Sequence, residues 1–257
     1  MVFALDSSGY PAATATTAYE GVQISGAKAL TITDPEPRQI VHIGDDYVFQ
    51  VDQLPPTEPI SGEIRTGKIN DTLDAIIGDD KSFTEGEAKL FGFGSNNRGD
   101  ENQVALLGFR QALDTNQDGS TFGKRVWDAR IFPKALVISR EGGFEDAPED
   151  RAYSIRPQFV QNHLWQTAFS ATTEGFTRAQ GLRMVTEYKP KIIAFKADGS
   201  EVTFVLPTAY PAQAAAKVVI WDNGTKQTTG YTATTTHVVF SSAPTSTDIL
   251  VCLYEHA

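Results

Sequence analysis

The chain has 257 residues, 40% of them hydrophobic, and a formal net charge of −10. This length is sufficient for one large domain or two modest ones, each with its own hydrophobic core. No apolar run approaches the roughly 18 residues that cross a bilayer, and the single cysteine excludes a disulfide framework or a cysteine-based metal cluster. An acidic surface repels phosphate, so the charge argues against a tight grip on nucleic acid.

Strand signals dominate the first hundred residues. Residues 7–20 are rich in Ala, Thr, Ser and Tyr and poor in large aliphatic side chains, so they predict an extended, partly ordered arm. A short helix is predicted at Asp71–Ile77, because Leu73, Ile76 and Ile77 share one of its faces. A glycine-rich loop is expected at 91–100. Strands are predicted at Lys28–Thr33, Gln39–Ile43, Tyr47–Val51 and Ser61–Lys68.

The middle of the chain predicts strands joined by polar turns. Val104–Leu113 fits either a helix or a strand. The strand is favoured because Asp114–Gly123 has the composition of a hairpin loop leading into Arg125–Phe132. Further strands are predicted at Ala135–Arg140, Ala152–Pro157 and Leu182–Tyr188.

The composition changes near residue 189, where the chain becomes rich in threonine, poor in charge and punctuated by turns. The Asp-Gly turn at 198–199, between the apolar runs Ile192–Ala197 and Glu201–Leu206, is the strongest hairpin signal in the sequence. Several short strands within about 70 residues predict a small β-sandwich. We therefore expect two domains, residues 1–188 and residues 189–257. The later strands are predicted at Lys217–Trp221, Tyr231–Thr234, His237–Ser241 and Asp248–Tyr254, with an Asx-Gly turn at 222–224.

The chemistry-bearing residues form no catalytic or cofactor-binding pattern. The four histidines lie far apart in the sequence, and it contains no nucleophile elbow and no P-loop. Asp114, Asn116 and Asp118 match the first half of a calcium-binding loop. Arg125 stands where the bidentate carboxylate belongs, so a charged hairpin loop is favoured. Cys252 lies in an apolar run and is predicted to be a buried, inert thiol. We expect no cofactor, no metal and no enzymatic activity.

Two stretches of the sequence resemble phage virion proteins. Residues 125–138 have the sequence RVWDARIFPKALVI, followed after a polar stretch by RAYSIRP at 151–157 and by Trp165. This succession is similar to that of phage major tail (tail-tube) proteins, in which a strand ends at a Phe/Tyr-Pro corner before an acidic loop, a second strand and a Trp. Residues 216–254 are similar to a small β module common in phage virion proteins, because an Asx-Gly turn, a Gly-Tyr strand and an Ala-Pro turn follow in that order.

The resemblance implies a mostly β fold: a tail-tube-like β-sandwich or barrel with one short helix and long loops, plus the small C-terminal β-sandwich. It implies a non-enzymatic structural protein of the virion tail, made in the host cytoplasm, whose hexameric rings stack into a channel for DNA ejection. The implied partners are further copies of the chain, other tail proteins and viral DNA as transient, non-specific cargo, with no membrane. Residues 7–20 and 86–100 would then order against neighbouring subunits, and residues 189–257 would fold alone on the outside.

The acidic charge is concentrated in one segment. Residues 34–101 carry 15 Asp and Glu against six Lys and Arg. If this segment faces the channel, its weak repulsion keeps the passing DNA mobile. Ordinary solubility is the competing interpretation of the same charge. The lumen-facing candidates are Asp45, Asp46, Asp79 and Asp80.

Two other classes of protein compete with the tail tube. A virion decoration or fibre-type protein would bind host surface glycans by stacking sugars on aromatic residues such as Trp221 and Tyr231. Trp221 ends an apolar strand, however, and is predicted to pack in the core. A glycan hydrolase on a β scaffold would need two carboxylates converging across a cleft. The adjacent acid pairs named above would point to opposite faces of a strand, so they do not suit that chemistry.

Reversing Asp45, Asp46, Asp79 and Asp80 to Lys should leave assembly nearly intact and make the tube bind DNA in a salt-dependent manner. One pair of unit charges about 4 Å apart interacts by only about 1 kcal/mol in water, so the effect comes from repetition along the stacked rings. Fluorescence anisotropy of labelled DNA at low and high salt measures the binding. DNA binding equal to that of the wild type at low salt would contradict a lumen position for these residues.

Overall fold

The computed structural model describes residues 1–24, 26–36, 38–44, 47–54, 60–67, 71–77, 81–85, 88–92, 103–115, 122–140, 151–158 and 181–256. Antiparallel β-strands dominate these ranges, together with one short α-helix, α1 (Asp71–Ile77). The prediction of a mostly β fold with one short helix is confirmed, and the helix has the predicted bounds. Within the described ranges, no helix combines the length and the apolar character that a membrane crossing requires.

Eleven strands lie in the described ranges before residue 189. In chain order they are β1 (Val2–Ala4), β2 (Ala27–Thr33), β3 (Arg38–Gly44), β4 (Tyr47–Leu54), β5 (Ser61–Thr66), β6 (Lys81–Glu85), β7 (Ala88–Gly92), β8 (Gln103–Leu113), β9 (Arg125–Arg140), β10 (Arg151–Pro157) and β11 (Leu182–Thr186). Seven of them form the main sheet, in the order β1-β8-β9-β10-β5-β2, with β11 also paired to β9. The hairpins β3–β4 and β6–β7 are separate two-stranded sheets. Each predicted strand of this part therefore corresponds to an observed one.

Residues 189–256 form two further sheets. Their strands are β12 (Lys189–Lys196), β13 (Thr203–Val205), β14 (Val219–Asp222), β15 (Thr225–Lys226), β16 (Tyr231–Ala233), β17 (His237–Phe240) and β18 (Ile249–His256). The junction sheet has the order β12-β18-β14-β15, and the outer sheet has the order β13-β17-β16. Asn223 and Gly224 alone connect β14 to β15, with φ angles of 44° and 76°. Two positive φ angles in a two-residue loop define a type I′ hairpin, which confirms the predicted Asx-Gly turn.

Three hydrophobic cores hold the sheets together. The inner core, between the main sheet and α1, consists of Val2, Ile24, Ile64, Leu73, Ile77, Val104, Leu106, Phe132, Ala135, Val137, Tyr153 and Ile155. The junction core, between the main sheet and the junction sheet, consists of Phe3, Ala13, Ala105, Leu107, Ala129, Ile131, Ile192, Ala194, Trp221, Ile249 and Val251. The module core, between the junction and outer sheets, consists of Ile193, Phe195, Ala197, Phe204, Leu206, Ala212, Val218, Ile220, Val238, Leu250, Cys252 and Tyr254.

The longest strand, β9, contains a bulge at Pro133. Between the pairs Val104–Ala135 and Leu106–Phe132, β8 advances two residues and β9 advances three, so one residue of β9 is extra. A proline suits this position because it has no N–H to contribute to a ladder. On the opposite edge of β9, residues 127–131 pair with β11 and residues 135–140 pair with β10, so the bulge also separates these two pairings. The predicted strand end at this Phe-Pro corner is wrong, because the chain continues as one strand of 16 residues.

The bulge transfers β9 from one core to another. Ala129 and Ile131 belong to the junction core, whereas Ala135 and Val137 belong to the inner core. All four positions are odd-numbered, so regular alternation would place them on one face of the sheet. The one extra residue reverses that alternation, which lets a single strand serve two cores.

The main sheet curls around the inner core. Leu30 on β2 lies against Gly108 on β8, although β9, β10 and β5 separate these strands in the sheet order. A Cβ atom at Gly108 would clash with Cδ2 of Leu30, so a larger residue there would displace the end of the Leu30 side chain. The curl therefore brings the last strand of the sheet back across β8.

The hairpin predicted at the Asp-Gly turn is wrong. β12 pairs with β18 and β13 pairs with β17, so the two runs that flank the turn lie in different sheets. The turn itself forms, since Oδ1 of Asp198 accepts backbone hydrogen bonds from Ser200 and Glu201 at 2.8 and 2.7 Å. Phe195 and Phe204 meet across the module core with their ring centroids 5.3 Å apart. Burial of these two rings separates the strands that the turn alone would pair.

The N-terminal arm, residues 1–24, ties the main sheet to the junction sheet. β1 pairs with β8, and Tyr19 exchanges two backbone hydrogen bonds of 2.7 and 2.9 Å with Ala194 on β12. Ala13 is buried in the junction core, and the ring of Tyr19 packs edge-on against that of Phe3. The expectation that residues 7–20 order against neighbouring subunits is corrected: they dock on their own chain, because each end of the arm extends a different sheet.

The boundary predicted at residue 188 falls between β11 and β12. The junction core nevertheless draws Leu107 and Ile131 from the main sheet, and Ile192 and Val251 from the junction sheet. A chain cut at 188 would expose apolar surface on both fragments. Independent folding of residues 189–257 therefore stays a prediction, and the separated fragment is expected to need polar substitutions on its junction face to stay soluble.

Leu107→Ala should lower the free energy of unfolding by about 2–5 kcal/mol, because Leu107 is 1% exposed in the junction core. Leu113→Ala is the matched control on the same face of β8, where the side chain is 63% exposed. Its effect should stay within about 0.5 kcal/mol. Urea unfolding of both variants measures the difference, and equal destabilisation would show that the junction core does not stabilise the fold.

Candidate functional site

A pocket of about 270 Å³ opens where the arm, the main sheet and the junction sheet meet. The arm, β8, the paired start of β12 and end of β18, and the segment before the 3-10 turn at Ala215–Lys217 supply its walls. Several polar and charged side chains of this pocket therefore lie beside the junction core. The side chains that define this junction pocket are Glu20, Phe109, Lys189, Lys191, Tyr210 and His256.

Lys191 is a buried cation at the base of the junction pocket. Its residue is 6% exposed, and its Nζ lies 2.5 Å from a carboxylate oxygen of Glu20. The same ammonium lies 4.2 Å from the centroid of the Tyr210 ring. Only Lys191 is buried, since the side chain of Glu20 is 38% exposed, and without this carboxylate the buried ammonium would lack its charged partner. This pair therefore fixes the end of the arm against β12.

Lys189 holds its ammonium over aromatic rings. Nζ lies 4.7 Å from the centroid of Phe109 and 5.7 Å from that of Trp127. These two rings pack edge-to-face at 5.6 Å. Within the described ranges, no carboxylate lies at ion-pair distance from Lys189. The cation is positioned by π-faces, which attract it without neutralising it.

His256 and Tyr210 form the wall on the side of residues 189–256. Their ring centroids lie 5.1 Å apart in an edge-to-face arrangement, and His256 is buried. The hydroxyl of Tyr254 donates a 3.0 Å hydrogen bond to the backbone carbonyl of Tyr210. The backbone N–H of Gln213 donates to the carbonyl of Glu255 at 2.8 Å. These bonds hold the segment that carries Tyr210 against the end of β18.

A second polar cluster surrounds Asp128 on β9. Asp128 is 4% exposed, and its Oδ1 accepts a 2.8 Å hydrogen bond from Nε of Arg183 on β11. Its Oδ2 lies 3.5 Å from Nη2 of Arg110, the residue directly opposite on β8. The hydrogen bond from Arg183 holds the pKa of the Asp128 carboxyl below its usual range, and the charges of Arg183, Arg130 and Arg110 act in the same direction. A buried carboxylate thus joins three neighbouring strands.

Sequence reasoning missed both clusters. Asp128 stood as a lone acidic residue inside an apolar strand, Arg125–Phe132, and such a residue needs a basic partner when buried. Lys189 and Lys191 lie where the composition of the sequence changes, and no site was predicted there. Their separation by one apolar position, at the start of a strand, was a signal that two cations share a neighbourhood.

The predicted lumen residues lie outside the part of the chain that the structure describes. So do Asn116 and Asp118 of the calcium-like loop, of which the base is described. There the backbone N–H of Asp114 donates to the carbonyl of Lys124 at 3.0 Å, and that of Gly123 donates to the carbonyl of Asp114 at 2.9 Å. The predicted β8–β9 hairpin is confirmed at this base. The lumen position of Asp45, Asp46, Asp79 and Asp80 stays a prediction.

The predicted burial of Trp221 and that of Cys252 are both confirmed. Trp221 is 6% exposed in the junction core, so it packs as predicted and does not present its ring to a sugar. Tyr231 is half-buried against the module core, with its ring centroid 6.1 Å from that of Phe240. Cys252 is buried in the module core, and burial raises the pKa of its thiol to about 12. A thiol with this pKa carries almost no thiolate at neutral pH.

Known proteins provide no assignment, since no protein-family model, no curated protein and no solved structure matches the chain. The likeness of residues 125–169 and 216–254 to phage virion proteins therefore stays a likeness of sequence pattern. Function is inferred from the fold and from the surfaces of the described residues.

Asp128→Asn should lower the free energy of unfolding at pH 7 by about 1–3 kcal/mol, because the arginines lose a buried charged acceptor. The folded carboxyl has a pKa below the ordinary 3.8. Its contribution is present above pH 3.8 and is lost as the pH falls through the folded pKa. The gap between wild type and variant should therefore shrink in acid, as measured by urea unfolding from pH 7 downward. Asp34→Asn, at an exposed position, is the control, and a gap independent of pH would contradict the charge-based account.

Proposed function

We propose that the chain is a structural subunit of a phage tail tube, which assembles into stacked rings and forms a channel for genome delivery. One observation carries the proposal: the curled antiparallel main sheet ends in β2, a strand of seven residues whose side chains are mostly exposed. A curled sheet with such an edge is suited to extension by the next subunit.

The edge strand β2 has the chemistry of a pairing surface. Leu30 and Ile32 are half-buried and pack against the inner core, whereas Ala29, Thr31 and Thr33 are exposed. The strand contains a single charged residue and no proline, the two devices that commonly protect an edge from pairing. Ring closure would unite such edges into one continuous barrel, which removes them altogether.

The position of the junction sheet favours contacts between subunits at the edges of the main sheet over contacts through its faces. One face of the main sheet is covered by α1 through the inner core, and the other is covered by the junction sheet through the junction core. Large apolar contacts between subunits through these faces are therefore already taken. In the proposed ring, residues 189–257 lie on the outside, and the acidic segment 34–101 lies closer to the channel.

The proposal predicts a quaternary structure that microscopy can see. Negative-stain images of the purified full chain should show rings or tubes with six subunits in each ring. Trimers would favour the decoration or fibre-type alternative, and monomers at high concentration would contradict both assemblies. Light scattering after size-exclusion chromatography gives the subunit count independently.

Thr31→Lys should prevent ring or tube formation and leave thermal unfolding of the subunit nearly unchanged, because the added charges gather at the exposed edge of β2. Thr225→Lys is the matched control, an exposed threonine on β15. It should assemble like the wild type. Normal tubes from Thr31→Lys would exclude β2 as the contact strand, whereas absence of tubes from the wild type would contradict the function itself.

A further inference from the structure

We propose that the junction pocket binds a small oxyanion, a phosphate or a carboxylate group, through the ammonium of Lys189. The inference does not depend on ring assembly, so it goes beyond the proposed function. Three observations support the proposal: the charge balance of the lining, the burial of Lys191 at its base and the size of the cavity.

The charge balance of the lining favours an anion. Glu20 is committed to Lys191, with 2.5 Å between Nζ and the carboxylate. Lys189 has aromatic faces as its neighbours and, in the described part of the chain, no acidic partner. A cation–π contact at a partly exposed site provides about 0.5–2 kcal/mol, which holds an ammonium in place without cancelling its charge. Among the charged side chains of the described lining, Lys189 is therefore the one without an ion-pair partner.

The surroundings strengthen a charged hydrogen bond to that ammonium. Phe109, Pro190 and Tyr210 supply apolar surface to the lining, and His256 supplies a buried aromatic ring. Hydrogen bonds between an ammonium and an oxyanion are stronger than neutral ones, and a low local dielectric increases the difference. The lining thus combines one cation for affinity with apolar and aromatic surface beside it.

The size of the cavity selects a small ligand. A volume of about 270 Å³ is several times the roughly 30 Å³ that one water molecule occupies in the liquid. It has room for an oxyanion with a few waters, but not for a nucleic acid strand. Acidic protein segments are likewise too large to enter beyond one carboxylate side chain. The ligand class is therefore a single phosphate or carboxylate group.

An anion held there would touch three parts of the fold at once. Glu20 and Gly21 belong to the arm, Phe109 belongs to β8, and Lys189 begins β12. A ligand that binds only the folded arrangement stabilises it in proportion to its concentration above the dissociation constant. Occupancy of the junction pocket should therefore raise the melting temperature of the whole chain.

The test uses the full chain in chloride buffer, with inorganic phosphate and acetate titrated separately at constant ionic strength. Isothermal titration calorimetry and thermal unfolding should both show saturable binding, and the better ligand identifies phosphate or carboxylate as the source. Lys189→Gln should weaken the affinity by about tenfold or more. Lys189→Arg, which keeps the cation, should retain binding, and the melting temperature in chloride alone shows that each variant is folded.

Lys226→Gln is the matched control for a general charge effect. Lys226 is exposed on β15, and β18 and β14 separate its strand from β12. Its affinity for phosphate should equal that of the wild type. The proposal is overturned if neither anion binds saturably, if Lys189→Gln binds as well as the wild type, or if Lys226→Gln weakens binding equally.

Discussion

The architecture depends on the burial of one sheet on both of its faces. In β18, Ile249 and Val251 enter the junction core, while Leu250, Cys252 and Tyr254 enter the module core. A strand buried on both faces needs a continuous apolar run, which is the pattern of this segment. Each fully buried aliphatic side chain contributes about 1.5–3 kcal/mol relative to exposure, so the junction core stabilises the contact between the two halves of the chain. The junction sheet is therefore a structural layer shared by both halves.

The N-terminal arm pairs with β12, the edge strand of the junction sheet. A strand at the edge of a sheet presents unpaired backbone groups, and the arm supplies partners for β12 within the same molecule. It also begins as β1 on the main sheet, so one short segment satisfies two edges. Tyr10 extends the connection, since its hydroxyl donates a 2.9 Å hydrogen bond to the carbonyl of Asn223 in the β14–β15 turn. The arm therefore occupies an edge of each of the two sheets that it joins.

The acidic surplus and the buried ion pairs lie in different segments of the chain. Most of the net charge of −10 lies in residues 34–101, where acids outnumber bases by 15 to six. The charged groups buried near the main sheet are paired, as Asp128 is with Arg183 and Lys191 with Glu20. Burial of an unpaired charge costs far more than an ordinary hydrogen bond returns, so these pairs define which strands can be neighbours. Lys189 is partly exposed at the junction pocket, where its ammonium lies over the rings of Phe109 and Trp127.

The sequence by itself determined the local elements, because their signals depend on neighbouring residues. The bounds of α1, the type I′ turn at Asn223 and the burial of Cys252 follow from periodicity, turn chemistry and an apolar run. Tertiary structure alone decided which elements pair. The Asp-Gly turn gave a crossing between sheets because two phenylalanines are buried between them, and the Phe-Pro corner became a bulge because β9 serves two cores. Asp128 and Arg183 lie 55 residues apart, and only the pairing of β11 with β9 brings them within 2.8 Å. Such contacts depend on which distant segments are buried against each other. A local sequence pattern does not contain that information.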